Sequence, residues 1–172
     1  MAYKGGDVRV STVGLDDLVK ELERLESPSD VVMFCEDTVY AGVNVMADYM
    51  RSQLKNLKTQ SKENHRNDKR YAYDIEKQAL LDSLGYTPVK QFGSNLAYFD
   101  SNVGFDGYTP YKRPDLAKRQ YRSNQMIANS INRGTSFMIA QPFISRAKRA
   151  GQTKVIEAMR AELEKYIKSR TH

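Results

Sequence analysis

The chain reads as an α+β protein: a small antiparallel β-sheet packed against several helices, with a long helix in its N-terminal half and another at its C-terminus. Three observations lead there. Short runs around Val8, Val10 and Val13, from Tyr86 to Phe92 and from Leu96 to Phe105 have strand character. Apolar residues recur at helical spacing from Val32 to Leu57 and again from Val155 to Ile167. The second and third strand segments are separated only by Gly93, Ser94 and Asn95, a length and composition suited to a hairpin. A chain of 172 residues can remove about 70% of its unfolded surface from water around one core, so a single domain over 1–172 is expected.

The opening strand, Val8 to Val13, leads into a helix carrying Leu15, Leu18, Leu22 and Leu25, with Asp16 and Asp17 in the first turn, where the helix dipole favours them. Ser27, Pro28 and Ser29 interrupt that pattern, and Ser29 or Asp30 can cap the longest helix. Its stripe is Val32, Val39, Val43, Met46, Met50, Leu54 and Leu57, leaving Tyr40, Tyr49 and Arg51 on other faces. From Lys58 to Tyr73 the periodicity vanishes and charged and amide residues dominate, which predicts a mobile basic loop.

Asp74 is then placed to cap a short helix bearing Ile75, Ala79, Leu80 and Leu84, with Gly85 ending it. Two strands follow, the first an edge strand or one that begins after Pro88. The prolines and tyrosines from Gly107 to Pro114 read as a long excursion. Ile127, Ala128 and Ile131 mark a further helix, with Gly134 at the position where a left-handed residue would end it. In the connector, Phe137, Ile139 and Phe143 alternate and are expected to pack the last helices onto the sheet, while Pro142 suits a helix's first turn. Gly151 and Gln152 read as a break, after which Thr153 caps a final helix with Val155, Ile156, Met159, Leu163, Tyr166 and Ile167 on its apolar face. Lys165, Lys168 and Arg170 near its end complement the dipole.

The formal charge of +6 is gathered rather than spread. Lys58, Lys62, Arg66, Lys69 and Arg70 form one cluster; Lys112, Arg113, Lys118, Arg119 and Arg122 form a second; Arg146, Lys148 and Arg149 form a third. Each alone is explained by a solvated face, but three in one small chain point to a polyanion nearby. Catalytic chemistry is sparse. His65 and His172 lie in segments without the fixed positioning a general base needs. Asp100, Asn102 and Asp106 resemble a calcium loop only in spacing, because the sixth position is Phe105 and the twelfth Tyr111, so a turn at the hairpin end is the expected reading. The single cysteine, Cys35, sits in the helical pattern as a small buried hydrophobe. No glycine-rich phosphate loop and no cysteine pair for zinc is present. Neither an enzyme nor a cofactor is expected. No run of about 18 apolar residues appears, and the N-terminus lacks the apolar core of a signal peptide, so no membrane is expected and assembly in the cytoplasm is.

Several motifs occur in a fixed order: GLDDL at Gly14 to Leu18, DSLG at Asp82 to Gly85, VGFDG at Val103 to Gly107, RGTSF at Arg133 to Phe137, and QPFISRA at Gln141 to Ala147. Taken together they resemble a neck and tail-completion family of tailed bacteriophages, whose members join the DNA-filled head to the tail. Two features depart from the family pattern. The short proline and glycine loop before DSLG is replaced by the polar run Lys58 to Arg70, and PFxRPA appears as PFISRA. The resemblance implies a structural virion protein that forms a ring with copies of itself and contacts the head connector and the tail terminator or tail-tube proteins. It places Lys58, Lys62, Arg66, Lys69 and Arg70 as candidates to line the DNA path through non-specific contact, and Phe137, Ile139, Pro142 and Phe143 as packing or interface residues. The alternative reading is a small basic nucleic-acid-binding module, in which Tyr71, Tyr73, Tyr108, Tyr111 and Tyr121 interleave with the cations as stacking surfaces.

Overall fold

The computed structural model describes residues 7–12, 27–60, 70–92, 98–109 and 121–170. The GLDDL helix start, the hairpin turn at Gly93 to Asn95, both histidines and most of the Gly107 to Pro114 excursion lie outside them. Along the described residues run β1 (Val8–Ser11), α1 (Pro28–Lys55), β2 (Thr59–Gln60), β3 (Ala72–Tyr73) and α2 (Asp74–Ser83). They are followed by β4 (Leu84–Tyr86), β5 (Lys90–Phe92), β6 (Tyr98–Phe105), α3 (Asn124–Arg133) and α4 (Phe143–Arg170). The architecture is α+β, as the periodicities predict.

The sheet is organised on β6. It pairs antiparallel with β1 along one side and with β4 and β5 along the other. Phe99, Val103 and Phe105 turn inward, with Val8 and Val10 beside them, and these side chains meet the helices. Asp100 and Asn102 lie inside β6 rather than in a turn, and Asp100 is buried because Arg9 on β1 covers and pairs with it. The segment expected as one strand from Tyr86 is split at Pro88. Four steps from Tyr86 to Lys90 are matched by three along β6 from Val103 to Asp100, so one residue is extra and the edge bulges where proline has no N–H to give. Thr87 fills the gap, its N–H donating to the Asn102 carbonyl at 2.9 Å and its hydroxyl accepting from the Asn102 N–H at 3.0 Å.

α1 begins earlier than expected, its cap lying two or three residues before Ser29 or Asp30. Ser27 is the cap, its hydroxyl accepting from the Asp30 N–H, and Pro28 occupies the first turn, where its missing N–H leaves no bond unmade. Val39, Val43, Met46, Met50 and Leu54 are buried as the stripe requires, and so is Cys35. α4 lies antiparallel along α1: Phe34 meets Tyr166, Gly42 meets Met159, and Tyr49 meets Gly151. This corrects the expected break at Gly151, since Phe143–Arg170 is one continuous helix. Glycine there lowers helix propensity by about 1 kcal/mol, but a Cβ would lie 3.0 Å from the Tyr49 ring, so the residue is set by contact rather than by chain termination. Along the same helix Val155, Met159 and Leu163 are buried, whereas Ile156 is exposed, contrary to its assignment to the apolar face.

The shorter elements also differ from expectation at their ends. α2 is capped at Tyr73, whose N–H donates to Glu76 at 2.9 Å, and Asp74 is its first residue. It ends at Ser83 and passes directly into β4, so Gly85 is a strand residue opposite Gly104. α3 starts behind Ser123, which accepts from the Met126 N–H at 3.2 Å. It stops at Gly134, whose φ of 75° and ψ of 171° suit glycine alone. A Cβ there would also meet Ala140 at 3.0 Å.

In the connector the alternation is real but its phase is shifted by one residue. Arg70 bridges Met138, its N–H donating to the Phe137 carbonyl at 3.0 Å and its carbonyl accepting from the Ile139 N–H at 2.8 Å. Met138 therefore points into the core, Phe137 is 46% exposed and Ile139 is half-buried. Phe143 is 1% exposed and meets Phe105 edge-on at 6.0 Å, so it alone of the three aromatic or branched residues ties the helix to the sheet as expected. Pro142 stands just before α4, its carbonyl accepting from the Arg146 N–H at 3.1 Å.

Two outcomes follow for thermal unfolding. Phe143→Ala should cost about 3–5 kcal/mol, whereas Phe137→Ala should stay within about 0.5 kcal/mol of the parent. Gly42→Val should cost about 1–3 kcal/mol or more, because even a Cβ would lie 2.9 Å from both Met159 and Val10. Gly85→Ala, with nothing within 4 Å, is the control for simple loss of glycine.

Candidate functional site

The basic segment expected to be mobile from Lys58 to Tyr73 is fixed at both ends. β2 and β3 pair in parallel, Thr59 with Ala72 and Gln60 with Tyr73, and Ala72 and Tyr73 are buried. Gln141 holds the backbone of Lys58 twice, accepting from its N–H and donating to its carbonyl, each at 2.9 Å. Lys77 donates to the carbonyls of Lys55 and Leu57 at 2.7 and 3.2 Å. The side chain of Lys58 remains exposed.

Arg70 is not a surface cation. Its guanidinium donates to both oxygens of Glu76 at 2.9 and 3.2 Å, donates to the Tyr71 carbonyl, and lies 4.0 Å from the Tyr73 ring centroid. Glu76 is 3% exposed and also accepts from Tyr73, so Arg70 is the counterion of a buried carboxylate. This removes Arg70 from the candidate DNA-lining set. Lys62, Arg66 and Lys69 lie outside the described residues, as do Tyr111, Lys112, Arg113, Lys118 and Arg119. Tyr73 is buried and Tyr71 half-buried, whereas Tyr108 and Tyr121 are exposed.

The DSLG, VGFDG, RGTSF and QPF segments of the second half lie along α3. The DSLG segment pairs with VGFDG, Leu84 opposite Phe105 and Gly85 opposite Gly104, and the Asp106 N–H donates to the Ser83 carbonyl at 3.2 Å. VGFDG in turn holds the start of α3: Asn124 donates through its side chain to the Asp106 carbonyl at 2.8 Å, and the Phe105 N–H donates to Gln125 at 3.2 Å. At the other end of α3, RGTSF and QPF close together. Gln141 donates its N–H to the Ile131 carbonyl at 2.7 Å, and the Ile144 N–H donates to the Asn132 side chain at 3.0 Å.

Two adjoining clefts open at the VGFDG end. One, of about 330 Å³, lies between α2 and the start of α3, with Ile75, Asp82, Asp106, Tyr108 and Asn124 in its walls. The second, of about 430 Å³, shares Ser83 and Asp106 with it and passes Asp7, Tyr86 and Gly104. Among the described residues no lysine or arginine lines either cleft. The Asp7 carboxyl lies over Gly104, where a Cβ would collide with it, and burial pushes its pKa up against the lowering effect of a hydrogen bond with Gln125. Sequence reading missed these clefts, because their three acids come from distant points of a chain whose net charge is positive. Of the three only Asp106 carries a signal of its own in sequence, and with Asp100 and Asn102 its spacing suggests a turn. Among the described residues no helix is long and apolar enough to cross a membrane.

If Arg70 is a buried counterion, Arg70→Ala should destabilise the fold by about 3–5 kcal/mol through the unpaired Glu76, while Lys58→Ala should leave the melting temperature within a degree or so. Equal, small effects in thermal unfolding would return Arg70 to the surface set. Comparison with protein-family models, with characterised proteins and with solved structures gives no match to this chain.

Proposed function

We propose that this chain is a structural protein of the neck of a tailed bacteriophage, completing the tail and joining it to the head connector as a ring of copies around the DNA path. The observation that carries the reading is the contiguity of the family-like motifs. DSLG, VGFDG and the start of α3 support one another through backbone and side-chain bonds, and RGTSF and QPF do so at the other end of the same helix. A module that only needed positive charge would not require that arrangement, and the clefts it creates carry carboxylates rather than the cations a nucleic-acid groove needs.

The mechanism is assembly rather than catalysis. Copies related by rotation would present the same surfaces around a lumen, with the head connector on one side and the tail terminator or tail-tube proteins on the other. The described residues on either side of 61–69 are fixed by Gln141, Glu76 and the β2–β3 pair. Between them Lys62, Arg66 and Lys69 would meet DNA as sequence-blind charges acting over about 8 Å at physiological salt. Such contacts must stay weak, since DNA slides past them during ejection.

Disrupting the gene in the phage genome that encodes this chain should leave filled heads and finished tails unjoined in electron micrographs, with joining restored by the intact chain in trans. Normal joined particles without it would overturn the proposal. Changing Lys62, Arg66 and Lys69 to glutamate should leave folding intact and lower infectious titre or DNA retention. Full titre from that variant would remove the segment from the DNA path.

A further inference from the structure

α3 separates two surfaces of opposite charge. At its N-terminal end lie the two clefts, with Asp7, Asp82 and Asp106 and, among the described residues, no lining cation. Asp82 accepts only from Gln78 and Asp106 only from the Gly107 N–H among the described residues, so neither carboxylate is neutralised there. Asn124 is 4% exposed and lines the first cleft, and its Oδ1 has no hydrogen-bond partner among the described residues. Tyr108, 71% exposed, adds an aromatic face of the kind that accepts a guanidinium. The arrangement asks for a donor that is cationic and partly apolar. A metal ion fits it poorly, since nowhere among the described residues are three His, Cys, Asp or Glu side chains grouped to hold one.

At the other end of α3, about 15 Å away for ten residues at 1.5 Å each, Arg133 and the first turns of α4 present exposed cations. Arg146 and Arg149 fall on one face of α4 at i and i+3, and neither makes an ion pair among the described residues. The Asn132 to Ile144 hydrogen bond fixes the start of α4 at that end. Among the described residues the cations and the clefts thus lie at opposite ends of α3.

We infer that the acidic clefts of one copy receive the Arg146 to Arg149 turn of a second copy, a head-to-tail contact that deepens, and rests on, the ring proposed above. The arginines supply the charge that Asp82 and Asp106 lack, with a guanidinium plane over Tyr108. Because the two surfaces differ, the contact is heterologous: repeated rotation either closes it into a ring or extends it as a filament.

Sedimentation of the full chain across concentration at low salt tests this. The wild type should self-associate, and rising salt should weaken association. Arg146→Glu with Arg149→Glu, and separately Asp82→Arg with Asp106→Arg, should each weaken association about tenfold or more while circular dichroism stays unchanged. An equimolar mixture of the two variants should regain association, since each retains the surface the other has lost. A wild type that stays monomeric at every concentration, variants that assemble normally, or a mixture of folded variants that fails to recover would each overturn the inference. Joined particles containing a chain that does not self-associate through these surfaces would sink the docking contact and spare the neck reading. Self-assembly by a chain whose loss leaves particles normal would do the reverse.

Discussion

The structure depends on how closely α1 and α4 approach. Two helices of this length bury their stripes fully only if their backbones come near enough for Met159 to lie on Gly42 and Tyr49 on Gly151. Each glycine sacrifices helix propensity and gives up a side chain of its own. What it returns is contact along the whole antiparallel pair, from Phe34 against Tyr166 to the Tyr49 end. Val10 of β1 also reaches Gly42, so the same close approach seats the sheet against the helix pair. Core burial of Phe99, Val103, Phe105 and Phe143 follows from that seating.

A second constraint concerns the polar chain between α1 and α2. Its two ends would otherwise leave unsatisfied backbone groups beside a closed core. The protein resolves this with long side chains from elsewhere: Gln141 on Lys58, Lys77 on Lys55 and Leu57, and Glu76 on Tyr73. Burial of Glu76 then requires Arg70, and the backbone of Arg70 in turn sets the phase of the connector through Phe137 and Ile139. One ion pair thus links the base of a basic segment, the start of α2 and the entry to α4.

Charge is partitioned accordingly. Arg146, Lys148 and Arg149 are held outward on α4, whereas Arg70 is turned inward. Carboxylates gather where β4, β6 and α3 meet, at clefts that no cation lines among the described residues. In the assembly proposed above, such a division would give neighbouring copies a defined direction, because unlike surfaces on one protomer attract only in one sense.

The chain's local periods were legible in its sequence. Strand alternation in β1 and β6, the α1 stripe, the turn residue Gly134 and the interruption at Pro88 all follow from side-chain spacing and from backbone geometry that one or two residues determine. What lay beyond it was phase and partnership. Phe137, Met138 and Ile139 alternate whichever face is inward, and only pairing with Arg70 decides that Met138 is buried. Gly151 carries the composition of a helix end, and only contact with Tyr49 makes it a helix interior. Arg70 sits among solvated cations in sequence, yet Glu76 claims it; Asp100 sits among turn residues, yet Arg9 seals it into a strand. Local pattern determines the period of an element because that depends on the chain alone, whereas its phase, its continuity and the use of its charges depend on what the fold brings alongside.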